Sequence, residues 1–123
     1  MKLISYLRDG KPAIGAVINP ADGTFIDVSD LIPNSPAYLR TLIALGDTAL
    51  NAVRAAIPKA DPRKTKLMKD VTLLPVIPDP SQIPCMGLNY ADHAKEGGRD
   101  RPEYPGIFMR GPNSLVGLFV NVW

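Results

Sequence analysis

Cysteine, histidine and glutamate are scarce in this chain: its 123 residues include one cysteine, Cys85, one histidine, His93, and two glutamates, Glu96 and Glu103. A lone cysteine excludes an intrachain disulfide framework and fits a reducing compartment, so the cytoplasm is the expected location. With one histidine and isolated aspartates, no tetrahedral zinc set can be assembled, because His93 and Glu96 by themselves do not close a coordination shell. No metal ligands are therefore assigned within the chain. Long apolar runs are missing too. None reaches membrane-spanning length, and in MKLISYLRDG the apolar stretch is broken by Arg8 and Asp9 before a signal-peptide core could form. No membrane partner is expected. Charge of one sign is also lacking, since 14 Lys and Arg against 12 Asp and Glu leave a formal net charge of +2. The densest cationic stretch, PRKTKLMKD at 62–70, has no interleaved aromatics and matches no nucleic-acid motif. It reads as a solvated linker, and no nucleic acid is expected as partner.

Proline, by contrast, is plentiful: thirteen prolines cut the chain into short elements and exclude long helices after residue 58. Before that point, KLISYLR turns through DGKP into AIGAVIN, and PADG leads on to TFIDVSD. Three β-branched and aromatic runs separated by turn residues predict a small antiparallel meander. In NSPAYLRTLIALGD, Ser35 is placed to cap a helix beginning at Pro36, with Leu39, Leu42 and Ile43 on one face and Gly46 at its end. Asp47 is placed to cap a second helix, carrying Leu50, Val53 and Ile57 and closed by Pro58. The pair makes a helical hairpin whose apolar stripes are core against the meander.

Composition shifts between about Pro58 and Asp70, where lysine and proline replace aliphatics, so a linker is expected there. The organisation predicted is an N-terminal lobe and linker over 1–70, followed by a second region over 71–123. In the latter, VTLLPVIPDPSQIPCMGLNY reads as a short strand, a proline-rich bridge and a buried strand IPCMG. Cys85 lies in that strand without a nearby cation to lower its pKa, and reads as a small buried hydrophobe rather than a nucleophile.

GLNYADHAKEG at 87–97 carries the chemistry. Gly87 ends the strand, Asn89 can cap a helix, and YADHAKE supplies about two turns before Gly97 and Gly98 stop it. So short a helix needs packing to persist, and can order around a ligand and loosen when it leaves. His93 and Glu96, at i and i+3, share a face with Tyr90, so the carboxylate can fix the imidazole tautomer and favour its protonated form. Spacing alone fits both a water-activating dyad and an exposed helix pair.

IPCMGLNYADHAKEGG followed by PEYPGIFMRGPNSLVG resembles the fumarylacetoacetate hydrolase family, whose members carry a strand, G-x-N-Y-x-x-H-x-x-E, an acidic-aromatic-proline loop and F-x-K/R-x-x-x-S-x-x-G. MKLISYLRDGKPAIGAV, DVSDLIP, the helical hairpin and VTLLPVIPDPSQI resemble the N-terminal lobe of many bacterial members. The likeness covers 1–117. It implies an α+β fold in which the meander and hairpin precede the first strands and lid helix of a mixed β-roll.

The resemblance further implies a metal-dependent enzyme acting on small oxo acids by C–C bond hydrolysis, decarboxylation or a related step through an enolate, as a homodimer. It assigns His93 and Glu96 to the water-activating dyad, Asn89 and Tyr90 to the substrate side, and a divalent cation, usually Mg²⁺, to the substrate's oxygens. Arg110 falls where many members have lysine or arginine, which fits a role near the substrate carboxylate and equally a surface pair. The family's metal ligands are an E-x-E pair and a later aspartate, and this chain has no E-x-E; LFVNVW after Gly117 also departs from the pattern. Three expectations follow. Either the chain is an incomplete enzyme, inactive alone, or it is a non-catalytic module that dimerises or binds a partner. A separate polypeptide supplying the remaining domain is a third.

Overall fold

The structure, a computed structural model, describes residues 1–87, 95–98, 104 and 106–118. They fall into two compact units, Met1–Asp79 with residues 115–118, and Pro80–Ser114. The fold class is α+β with antiparallel strands, as the sequence predicts.

In the first unit β1 (Lys2–Arg8), β2 (Lys11–Asn19) and β3 (Thr24–Asp27) form the expected meander in sequence order. Asp9 and Gly10, at φ 51° and 74°, make the two-residue turn joining β1 to β2, a left-handed pair that matches the twist of the strands it connects. At the next turn Asn19 Oδ1 accepts from Ala21 N–H and Asp22 Oδ1 from Thr24 N–H, so the polar side chains of NPADG close the bend themselves. β4 (Lys66–Leu67) adds a fourth strand beside β3. The cationic stretch expected to be a solvated linker is thus bound into the sheet, and its Lys64 Nζ reaches Asp30 at 2.7 Å.

β2 is the central strand and its middle is buried on both faces. Ile14 and Ala16 point to one side, where Ile26, Val28, Leu39, Leu42 and Val53 complete a core. Ala13 points to the other, with Tyr6, Phe25 and Leu73. The first core is closed by α2 (Leu39–Ala44) and α3 (Gly46–Ala56), the predicted helical hairpin. The second is covered by the segment after β4. Leu7 N–H donates to Thr72 O, Leu74 N–H to Ser5 O, and Ser5 Oγ to Val76 O. These bonds occupy the outer edge of β1, which would otherwise recruit another chain.

Local details differ from expectation at several points. The strand read from TFIDVSD stops at Asp27, because Asp27 Oδ1 accepts from Ser29 N–H and caps a single helical turn, α1 (Val28–Leu31). Ser35 does not cap α2; its hydroxyl donates to Pro36 O, and the helix starts after Tyr38, whose carbonyl accepts from Thr41 and Leu42. Asp47 lies inside the first turn of α3, because Gly46, at φ 77°, already begins that helix. A negative side chain there still favours the positive helix end.

In the second unit β5 (Ile83–Gly87) pairs antiparallel with β6 (Gly106–Arg110), and the two form a ribbon of their own. IPCMG is a strand, as predicted, yet not a buried one. Pro84 and Met86 are exposed, and Cys85 is half-buried with its thiol 3.8 Å from Ile83 O.

Candidate functional site

The residues singled out for chemistry cluster in sequence after β5. Gly87 ends that strand opposite Gly106, where a Cβ would sit 3.6 Å from the Gly106 carbonyl. Asn89, Tyr90 and His93 lie outside the described residues, as does Glu103. Glu96 is described: with Lys95 it is helical, and its side chain is exposed. Gly98, at φ 63°, returns its N–H to Lys95 O at 3.0 Å, so the helix stops at the glycine pair that the sequence marks. Arg110 ends β6 opposite Ile83 and is exposed. Among the described residues neither Glu96 nor Arg110 forms an ion pair.

A divalent cation needs several oxygen ligands converging on one point. Among the described residues no three His, Cys, Asp or Glu side chains come together in that way. Four of the aspartates are committed elsewhere. Asp22 is bound by Asn19 and Thr24, Asp30 by Lys64, Asp61 by Arg63 and Asp79 by Arg40. These residues do not fit the metal implied by the family resemblance, and no chemical step is derived through one. A cleft of about 360 Å³ lined by Asp30, Lys59, Asp61 and Lys64 contains none of the predicted site residues.

The most perturbed ionisable pair was not anticipated from the sequence. Asp27, 2% exposed, accepts from Tyr6 Oη at 2.5 Å and Arg8 Nη1 at 2.7 Å on one oxygen, and from Ser29 Oγ at 2.7 Å and Ser29 N–H at 2.9 Å on the other. Burial pushes its carboxyl up, but the hydrogen bonds from Tyr6 and Ser29 and the Arg8 charge outweigh that and hold it below its usual value. Burial, then the Asp27 hydrogen bond, pushes the Tyr6 phenol far above its ordinary range. Lys66 Nζ reaches Tyr6 Oη at 3.3 Å and lies 5.5 Å from the ring centroid. Every acceptor lone pair of Asp27 faces a donor of its own sheet or helix turn, so the network locks structure and offers no open position for a substrate. The available clue was D-x-S at the end of an apolar strand, a capping pattern.

No family model matches the chain. Individual proteins do. Oxaloacetate tautomerase fahd2 of Xenopus laevis, a mitochondrial protein by name, is 29% identical over 119 residues, 95% of this chain and 36% of its own length. The mitochondrial oxaloacetate tautomerase Fahd2a of Rattus norvegicus is 31% identical over 100 residues, 81% of this chain and 31% of its own. Fumarylacetoacetate hydrolase domain-containing protein 2 of Pongo abelii is 28% identical over 100 residues. The chain spans about a third of the length of these relatives. Nearly the whole sequence takes part in the match, which bears out the resemblance read from its motifs: the chain is a homologue of the fumarylacetoacetate hydrolase domain-containing proteins and fits an amino-terminal portion of that family.

Proposed function

We propose that this chain is the amino-terminal portion of an enzyme that interconverts the keto and enol forms of a small oxo acid, with His93 and Glu96 as its proton-handling pair. The observation that carries this reading is similarity to oxaloacetate tautomerases along 95% of the chain. Tautomerisation takes a proton from the carbon beside the carbonyl and places one on the carbonyl oxygen, and no carbon–carbon bond breaks. It is a narrower reaction than the hydrolysis or decarboxylation expected from the family motif, and it passes through the same enolate.

An imidazole suits this work because its ordinary pKa, about 6.5, lets it give and take a proton near neutrality. Glu96, three residues on, would hold one ring nitrogen and leave the other for the substrate, directly or through a water. Asn89 and Tyr90 offer polar contacts beside the dyad, and Arg110 suits the substrate carboxylate. A base cannot sustain the reaction when nothing offsets the enolate charge that develops, and among the described residues no cluster of ligands stands ready to do so, so the chain by itself is expected to be inactive.

The test follows the ultraviolet absorbance of enol oxaloacetate. The purified chain, with or without Mg²⁺, should leave the interconversion at the buffer rate, and metal-dependent turnover by the chain alone would overturn the incompleteness. In an assembled, active enzyme, His93→Ala and Glu96→Gln should each lower the rate by about 10² to 10⁴. Unchanged rates in both would remove the dyad.

A non-catalytic dimerisation or partner-binding module is the second reading, favoured by the self-contained cores of the first unit. A discrete dimer without oxo-acid chemistry in any assembly would support it. The single cysteine fits a reducing compartment, the cytoplasm in this reading, and among the described residues no helix is long and apolar enough to cross a membrane.

A further inference from the structure

Leu73 lies opposite Tyr6 of β1, but the bonds of that pairing are made by its neighbours, with Leu7 N–H donating to Thr72 O and Leu74 N–H to Ser5 O. In an antiparallel ladder the residue between two such bonds turns its own N–H and carbonyl to the other side. The Leu73 carbonyl therefore faces away from β1 along a new outer edge, and such an edge accepts further chain. Residues 115–118 of the same unit arrive there. A Cβ on Gly117 would lie 2.0 Å from Leu73 O, 2.9 Å from Leu73 C and 3.3 Å from Leu74 Cα. All three are backbone atoms, which cannot rotate aside as a side chain does, so any larger residue must lift the chain off its seat. Leu118, next in line, forms one wall of an apolar recess of about 140 Å³ with Ile4, Ser5, Leu73, Leu74 and Val76. It remains 63% exposed, so the seat is decided by the fit at Gly117 more than by burial of Leu118.

The segment that offers this seat is itself tied down. Ser5 Oγ donates to Val76 O at 2.7 Å, and Ile77 packs against the core closed by α2 and α3. Its last residue, Asp79, accepts from Arg40 Nε at 3.0 Å and Arg40 Nη2 at 2.7 Å on one oxygen. The chain leaves the first unit after Asp79 and returns to it at residue 115. Residues 80–114, which include Glu96 and Arg110, are therefore held at both ends. Freeing one end returns to this stretch the conformational freedom that closing it removes.

We propose that Gly117 is a positioning residue: seated on the Leu73 carbonyl, it fastens the returning end of the segment that carries Glu96 and Arg110, while the Arg40–Asp79 pair fastens the departing end. The fastening stands on the geometry of the first unit alone. Its effect on a reaction rate rests on the tautomerase reading.

To test it, Val76→Cys and Leu118→Cys, two walls of one recess, are introduced into the full chain together with Cys85→Ser, and disulfide formation under mild oxidation is followed. The pair should cross-link readily, and adding Gly117→Ala should slow the reaction about tenfold or more. Gly111→Ala, whose Cβ meets nothing within 4 Å, should cross-link at the parent rate. Thermal melts of each variant establish that the first unit is folded at the temperature used. In an assembled, active enzyme held well below its melting midpoint, Gly117→Ala should lower the tautomerisation rate about tenfold, and the preformed disulfide should restore it. A pair that does not cross-link, or that cross-links equally fast with Gly117→Ala, overturns the fastening. A parent rate in the Gly117→Ala enzyme overturns the positioning. Cross-linking that depends on Gly117, with no assembly accelerating tautomerisation, overturns the functional reading and leaves the fastening standing.

Discussion

Tyr6 Oη donates to Asp27 Oδ2 across 2.5 Å, joining the middle of β1 to the end of β3 where both side chains are buried. Phe25 meets the same tyrosine edge-on, with ring centroids 4.9 Å apart and planes at 70°. One carboxylate therefore serves three ends: it caps α1, satisfies the phenol and pairs with Arg8. Removing it leaves a buried hydroxyl without a partner and a helix turn without a cap.

Asp27→Ala is expected to destabilise the first unit by about 3 kcal/mol, the sum of a lost cap and an unsatisfied buried donor. Urea unfolding of the full chain measures it. A loss below about 1 kcal/mol would mean that water enters and replaces the carboxylate.

The two shifted groups limit stability at opposite ends of the pH scale. Asp27 is held below its ordinary pKa in the folded state, so its contribution is present above the unfolded carboxylate value and fades as pH falls through the folded one. Tyr6 is held above its ordinary value, so its contribution is present below about pH 10 and is lost as pH rises beyond that. Thermal melts should show an alkaline decline starting near pH 10 in the parent that is reduced in Tyr6→Phe. Identical alkaline limbs in the two proteins would contradict the assignment.

Gly15 sits in β2 where a Cβ would lie 2.5 Å from Phe25 Cδ2 and 2.8 Å from Ile4 Cγ1. Gly15→Ala must push the Phe25 ring off its place against Tyr6, at an expected cost of about 1–3 kcal/mol. Gly10→Ala meets no neighbour within 4 Å, and costs only its left-handed backbone, about 1 kcal/mol. The ranking of the two denaturation midpoints is the check.

Glu96→Gln is expected to leave stability within about 0.5 kcal/mol, because the side chain is exposed. A larger loss of stability would give Glu96 a structural part and weaken its place in the dyad.

The meander, the helical hairpin and the glycine stop after Glu96 were legible because each is written in local chemistry. Asp9–Gly10 allows a left-handed two-residue turn, Leu39 and Leu42 in one helix and Leu50, Val53 and Ile57 in the next recur at helical spacing, and the paired glycines after Glu96 stop a helix. The motif around His93 was legible for the same reason, since identity and spacing alone carry the family likeness. What the sequence could not decide is how distant groups meet. Asp27 looks like one more strand residue until Tyr6 and Arg8, some twenty positions earlier, approach it across the sheet. Lys66 and Leu67 look like linker until β3 offers them an edge. The first kind of information depends on neighbours along the chain, and the second on hydrogen-bonding groups that only folding brings within 3 Å of each other.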